Sequence, residues 1–217
     1  MRKLIIAGCT LALLIGFSPA ASAGKVKTKP VALRCVQSDG TTVNDPCFTS
    51  GPSADGGGKS IKLDTVSATG TTGVAFDNWW CQRLESVQQL KIATKLPVTA
   101  GSPRISIYLS TDVTGPAGSD GCNNATWDGR TLFLSPFYCA SANAAGWRTS
   151  NWRSDTNCVI WDEGGNSYNG WNAYTAAHPD QYIWFAFAVQ DLAPPEQPAA
   201  VNYIDRIQLD AALFTGK

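Results

Sequence analysis

Aliphatic and polar residues alternate in Arg104-Ile105-Ser106-Ile107-Tyr108-Leu109-Ser110, the period-two signature of a strand with one face on a core. Two shorter segments, 131–134 and 158–161, read as strands because Gly, Asn, Asp and Ser bound them. The segment Gln181 to Gln190 (QYIWFAFAVQ) is apolar on both alternating faces, with Ile183, Phe185, Phe187 and Val189 on one and Tyr182, Trp184, Ala186 and Ala188 on the other. Such a strand belongs in the middle of its sheet with both faces covered, so Phe185 and Phe187 are expected in the core. Val201 to Leu209 is a last strand. Residues 82–96 carry two patterns: Leu84, Val87 and Leu90 at helical spacing, and Leu90, Ile92, Thr94 and Leu96 at strand spacing, the second favoured from Gln89. Many short strands parted by Gly-, Pro- and Asn-rich turns predict an all-β fold, a sandwich or a barrel.

The chain divides before that β pattern begins. Met1-Arg2-Lys3, the apolar run Leu4 to Phe17 and Ala21-Ser22-Ala23 before Gly24 are, in order, the three parts of a secretory signal. The apolar run is shorter than the ~20 residues a membrane span needs. Cys9 in Ile6-Ala7-Gly8-Cys9 offers a rival lipoprotein reading, weakened because the apolar run continues beyond it. The expectation is a signal peptide over 1–23, cleaved after Ala23, and a secreted or periplasmic mature protein. Residues 24–58 read as an N-terminal extension ending in the linker-like Gly51-Pro52-Ser53-Ala54-Asp55-Gly56-Gly57-Gly58, and 59–217 as the β domain.

Removing residues 1–23 leaves 15 basic against 17 acidic side chains, a balance that attracts neither nucleic acid nor an anionic membrane. It also leaves six cysteines: Cys35, Cys47, Cys81, Cys122, Cys139 and Cys158. An even number in an oxidising compartment reads as three disulfides, whereas zinc would want C-x-x-C pairs or histidines and the one histidine is His178. Chain proximity favours Cys35–Cys47 and Cys122–Cys139, which leaves Cys81–Cys158.

Five segments carry a resemblance: Leu90-Lys91-Ile92-Ala93-Thr94, Ile105-Ser106-Ile107-Tyr108-Leu109, Gly170-Trp171-Asn172-Ala173-Tyr174, Ile183-Trp184-Phe185-Ala186-Phe187 and Asn202-Tyr203-Ile204-Asp205-Arg206-Ile207-Gln208-Leu209. Their order resembles the strand order of galactose-binding-like jelly rolls, a fold shared by many carbohydrate-binding modules. Over roughly residues 60–214 the resemblance implies a jelly-roll β-sandwich and gives no activity.

The chemistry-bearing residues are few. A single histidine and fully paired cysteines leave little for a nucleophilic device, and no G-x-S-x-G or H-E-x-x-H is present. Asp162-Glu163-Gly164-Gly165 after Trp161 is the best carboxylate pair for a small glycan hydrolase or lyase, and the plainer reading is a charged turn. Asp205 shares strand parity with Val201, Tyr203, Ile207 and Leu209. It is therefore turned out by a bulge, buried with a hydrogen-bonding partner, or a candidate ligand of a structural Ca²⁺; no other cofactor is called for. The densest signal is aromatic. Between residues 127 and 174, rings interleave with Asn, Arg and Asp, the mixture that suits sugar rings with apolar faces and polar edges. Tryptophans in Gly/Asn/Ser-rich segments are expected to show a face, those in apolar runs to be core. Trp147, Trp152, Trp171 and the neighbouring Tyr168 and Tyr174 are therefore the candidate ligand platform, and Trp161 and Trp184 the core rings. The expected function is binding of a polysaccharide or glycoconjugate, with the small hydrolase or lyase, or an exported inhibitor- or adhesin-like domain with a protein partner, as alternatives.

Overall fold

The computed structural model describes residues 29–30, 34–37, 48–49, 53–54, 58–64, 72–75, 82–96, 98, 103–111, 127–139, 145–190, 201–210 and 212–214. The signal segment 1–23 and Cys47, Cys81 and Cys122 lie outside these, so the expected cleavage site and the Cys35–Cys47 bridge do too. In chain order the strands are β1 (Lys29–Pro30), β2 (Arg34–Gln37), β3 (Phe48–Thr49), β4 (Ser60–Asp64), β5 (Thr72–Ala75), β6 (Leu90–Leu96), β7 (Arg104–Ser110) and β8 (Thr131–Leu134). They continue with β9 (Gly146–Asn151), β10 (Val159–Asp162), β11 (Ser167–Asn169), β12 (Tyr182–Gln190), β13 (Val201–Leu209) and β14 (Ala212–Phe214). One helix, α1 (Trp171–Ala177), and two 3-10 turns at 84–86 and 136–138 complete the described elements.

The strands form two sheets packed as a β-sandwich. One runs β11-β10-β8-β7-β12-β5-β2; the other runs β1-β14-β13-β4-β3, with β6 on the far side of β13 and β9 beyond β6. Pairing is antiparallel except between β1 and β14. The two longest strands are central: β12 lies between β5 and β7, and β13 between β4 and β6. Between the sheets Ile61, Leu63, Leu90, Ile92, Ile204, Ile207 and Leu209 meet Val74, Ile105, Ile107, Leu109, Leu132, Leu134, Ile160 and Ile183 in a single buried cluster. The alternation in 104–110 places Ile105, Ile107 and Leu109 inward as the pattern requires. Within 24–58, the described strands β1, β2 and β3 hydrogen-bond to β14, β5 and β4 and so belong to the two sheets.

Two bulges overturn parity arguments. In β12, Ile183 opposes Leu109 but Phe185 opposes Tyr108, so Trp184 is the extra residue. The inward set is therefore Ile183, Ala186 and Ala188, and Phe185 is half-buried on the outer face rather than in the core. In β13 the register breaks between Asp205 and Gln208, with Arg206 at φ 46°. Val201 and Tyr203 consequently lie on the outer face while Ile207 and Leu209 lie on the inner one. Asp205 points away from the core yet is 3% exposed. The amides of Ala54 and Arg206 donate to its two oxygens at 3.0 and 2.7 Å, so backbone donors satisfy the buried carboxylate.

The bridge seen is Cys139–Cys158, which corrects both Cys122–Cys139 and Cys81–Cys158. The reason is topological. Cys139 follows the turn after β8, Cys158 directly precedes β10, and β8 and β10 are neighbours, bringing the two Cα atoms to 4.0 Å.

Candidate binding face

The residues expected to form a platform do not share a surface. Trp152 is 0% and Trp171 1% exposed, and Tyr174 is equally buried. Trp147 is half-buried on the outer side of the opposite sheet, on edge strand β9, and Tyr168 packs half-buried against the core. The correction has a physical cause. Segments without a regular ladder need some other anchor, and here the rings supply it. Trp171 and Tyr174 lie one turn apart on a single face of α1, a helix where the resemblance implied a strand. The Trp171 indole donates to the carbonyl of Leu84 at 2.9 Å, and Tyr174 Oη donates to Gln181 Oε1 at 2.7 Å. Trp152 holds the chain between β9 and β10 against Leu90, its amide donating to that carbonyl at 3.2 Å. The cavity lined by Trp152, Asp155, Gly170, Trp171 and neighbouring residues has about 40 Å³, room for a few waters and not for a sugar ring.

The carboxylate candidates are similarly committed. Asp162 closes the turn between β10 and β11, accepting from the Asn166 backbone amide at 2.8 Å and its side-chain amide at 2.9 and 3.2 Å, while Glu163 is exposed. Tyr168 Oη lies 3.4 Å from Asp162 Oδ2 and 3.2 Å from His178 Nε2. His178 is half-buried and caps α1, its amide donating to the carbonyls of Tyr174 and Thr175 and its ring centroid 4.6 Å from that of Tyr174. Burial, then the nearby Asp162 carboxylate, raises the Tyr168 phenol above its ordinary value; burial dominates for Tyr174 and pushes it up further. Neither tyrosine is set up as a base. Among the described residues no three His, Cys, Asp or Glu side chains cluster as metal ligands.

The aromatic surface lies instead on the outer face of the β12 sheet. Its inner face takes Ile105, Ile107, Leu109, Leu132, Leu134 and Ile160, so Tyr108, Phe133 and Trp161 point outward. The bulge adds both Trp184 and Phe185, whose rings lie 6.3 and 6.4 Å from that of Tyr108. Trp127 completes the group, its ring edge-on to Tyr108 at 5.5 Å. Trp127 and Trp184 are 43% and 37% exposed. Arg104 stacks over Phe133 at 4.6 Å and donates to Ser106 Oγ at 3.2 Å, and Trp161 extends the surface to Tyr138.

The 127–130 turn is built to fix its ring. Gly129 takes φ 85°, a conformation that suits glycine, and the Arg130 amide donates to Asp128 Oδ1 at 3.0 Å. The Asp128 amide then donates to the Leu109 carbonyl, and the Leu109 amide to the Arg130 carbonyl, tying the turn to β7. The same Arg130 carbonyl accepts from the Trp127 indole at 2.8 Å. The ring is therefore held in place by the turn itself. Sequence patterning missed this face because Trp161 and Trp184 stand in apolar runs. The one usable signal was four successive aromatic or alanine positions in Trp184-Phe185-Ala186-Phe187, too apolar for parity to choose a side. Compared with protein-family models, with curated proteins and with solved structures, the chain matches none.

Proposed function

We propose that this is an exported glycan-binding protein whose outer β12-sheet face, with Trp127, Trp184, Tyr108 and Phe185 at its centre, receives a polysaccharide chain. The observation that carries the reading is the β12 bulge. It sets two consecutive rings beside Tyr108 and Trp127 on a solvent-facing sheet, where a packed protein would normally hide them. Rings at edge-on angles, 71° between Tyr108 and both tryptophans, suit a twisted chain better than a flat crystalline surface. From Trp161 on β10 to Trp184 on β12 the face crosses three strand spacings, about 14 Å, the reach of a short run of sugars. The signal-like residues 1–23 and the buried disulfide support export.

The test is polysaccharide pull-down of Trp127→Ala and Trp184→Ala beside thermal melting. Both should lose most binding while Trp127→Ala stays within about 1 kcal/mol of the parent stability, because the ring contributes little to folding. Unchanged binding by both folded variants would reject the reading.

A further inference from the structure

The turn after β9 shapes a small cleft away from the aromatic face. The Asn151 carbonyl accepts from the amides of Ser154 and Asp155 at 3.3 and 2.9 Å, and Asn151 Oδ1 accepts from the Arg153 amide at 3.2 Å. Arg153 is half-buried and lines the cavity of about 40 Å³ between this turn and residues 169–172. Its Nε donates to the Val87 carbonyl at 2.9 Å and its Nη1 donates to Asn172 Oδ1, so the side chain is fastened from two sides. Both partners are neutral. None of the ion pairs among the described residues includes Arg153, and its Nη2 has no partner among them. The carboxylate in the cavity wall, Asp155, is turned to its own loop. Its Oδ1 accepts from the amide and the side-chain amide of Asn157 at 2.9 and 3.1 Å, and its Oδ2 lies 3.7 Å from Cys158 Sγ. Trp152 is another lining residue, and its buried Nε1 has no partner among the described residues. A half-buried cation with only neutral partners is incompletely compensated.

We infer that this cleft is a subsite for the carboxylate of an acidic sugar unit, a hexuronate. A guanidinium presents parallel N–H groups that match the two oxygens of a carboxylate. Size selects among anions. A water takes roughly 10–15 Å³ of such volume, so the cavity accepts about three atoms of that size. A carbon and two oxygens match it, and a tetrahedral sulfate or phosphate exceeds it. The rim selects what carries the carboxylate. Ser154, Thr156, Asn169 and Asn172 line the cavity and are exposed, so the rest of the ligand stays in solvent beside hydroxyl and amide groups. Such groups suit the hydroxyls of a sugar ring rather than the apolar stem of an acyl chain. The donors are side chains, and the start of α1 is not asked to hold the anion. The cleft shares no residue with the aromatic face of the β12 sheet, so either site stands or falls without the other.

The experiment is an NMR titration of the whole protein with glucuronate, glucose, sulfate and N-acetylglycine. The reporters are the Arg153 Nε–H, held by the Val87 carbonyl, and the amide of Gly170 in the cavity wall. Glucuronate should shift both saturably, and the other three probes should bind about fivefold more weakly or worse. Arg153→Lys keeps the charge and loses the fork, so glucuronate binding followed at Gly170 should also fall about fivefold or more. Should Arg153→Lys fail to fold, Ser154→Glu decides. Ser154 is exposed, Arg153 is kept, and the added carboxylate competes for it, so binding should be lost at an unchanged melting temperature. The inference is overturned by an absent shift with glucuronate, or by glucose, sulfate or N-acetylglycine binding less than about fivefold more weakly. Unchanged glucuronate binding by Ser154→Glu would overturn it as well.

Discussion

Trp152 and Trp171 are equally buried, yet replacing each by phenylalanine should have unequal consequences. Both substitutions remove the same part of an indole from the same end of the sandwich, so the packing loss largely cancels in the comparison. What remains is the indole N–H. In Trp171 it donates to the Leu84 carbonyl at 2.9 Å in a buried setting, and phenylalanine would leave that carbonyl without its partner. In Trp152 the buried Nε1 has no partner among the described residues, so phenylalanine strands no acceptor among them. Stranding a buried carbonyl costs about 1–3 kcal/mol. Trp171→Phe should therefore be the less stable variant by about 1–3 kcal/mol, a difference in melting temperature on the order of 5 °C for a domain of this size. Urea and thermal unfolding of the two variants side by side measure it. Equal stabilities, or a less stable Trp152→Phe, would refute the hydrogen-bond argument.

Replacing Cys139 and Cys158 together by serine should cost about 3 kcal/mol, since the bridge closes a loop over a separation of 19 residues; a loss below ~1 kcal/mol would show that β8 and β10 hold that loop unaided. Tyr168 and Tyr174 both have folded-state values raised above 10.0, so unfolded chains lose these protons first. Stability should be intact below about pH 10 and fall as pH rises further. Alkaline denaturation followed by phenolate absorbance should show two late-titrating tyrosines, and Tyr174→Phe should make the fall shallower; all tyrosines titrating together in the folded protein would contradict this. Asp205→Asn should destabilise by about 1–3 kcal/mol, because the Ala54 and Arg206 N–H groups bond different carboxylate oxygens and asparagine sets an NH2 against one of them; denaturant midpoints check it.

The inner face of the sandwich was readable wherever one residue type alternated with another, as in Ile105, Ile107 and Leu109 or in Leu90, Ile92 and Thr94. It was unreadable where both faces were apolar. In 181–190 nothing in the pattern marks Trp184 as the extra residue, so simple alternation turns Phe185 inward and the apolar run suggests a core place for Trp184. The candidate site failed for a related reason. Asn- and Gly-rich surroundings mark irregular backbone, not exposure, and Trp152 and Trp171 are the anchors that such backbone requires. Helix α1 has seven residues, too few for a helical period to stand out. The disulfide depended on which strands become neighbours, information that spacing along the chain does not contain.

The position of β12 and β13 has a consequence for how the chain can be made. These strands are late in sequence but central in space, so until residues 182–209 are available nothing fills the gap between β5 and β7 or between β4 and β6. Most of the chain must be synthesised before either sheet can close, and the contacts that close them join residues far apart in sequence. A shorter nascent chain has open strand edges and no complete core, which leaves it dependent on chaperones and prone to association. For the export proposed above, the same delay would keep the polypeptide threadable, because its sheets cannot be finished early. A stop codon before residue 182 would therefore yield an unfolded product rather than a smaller domain.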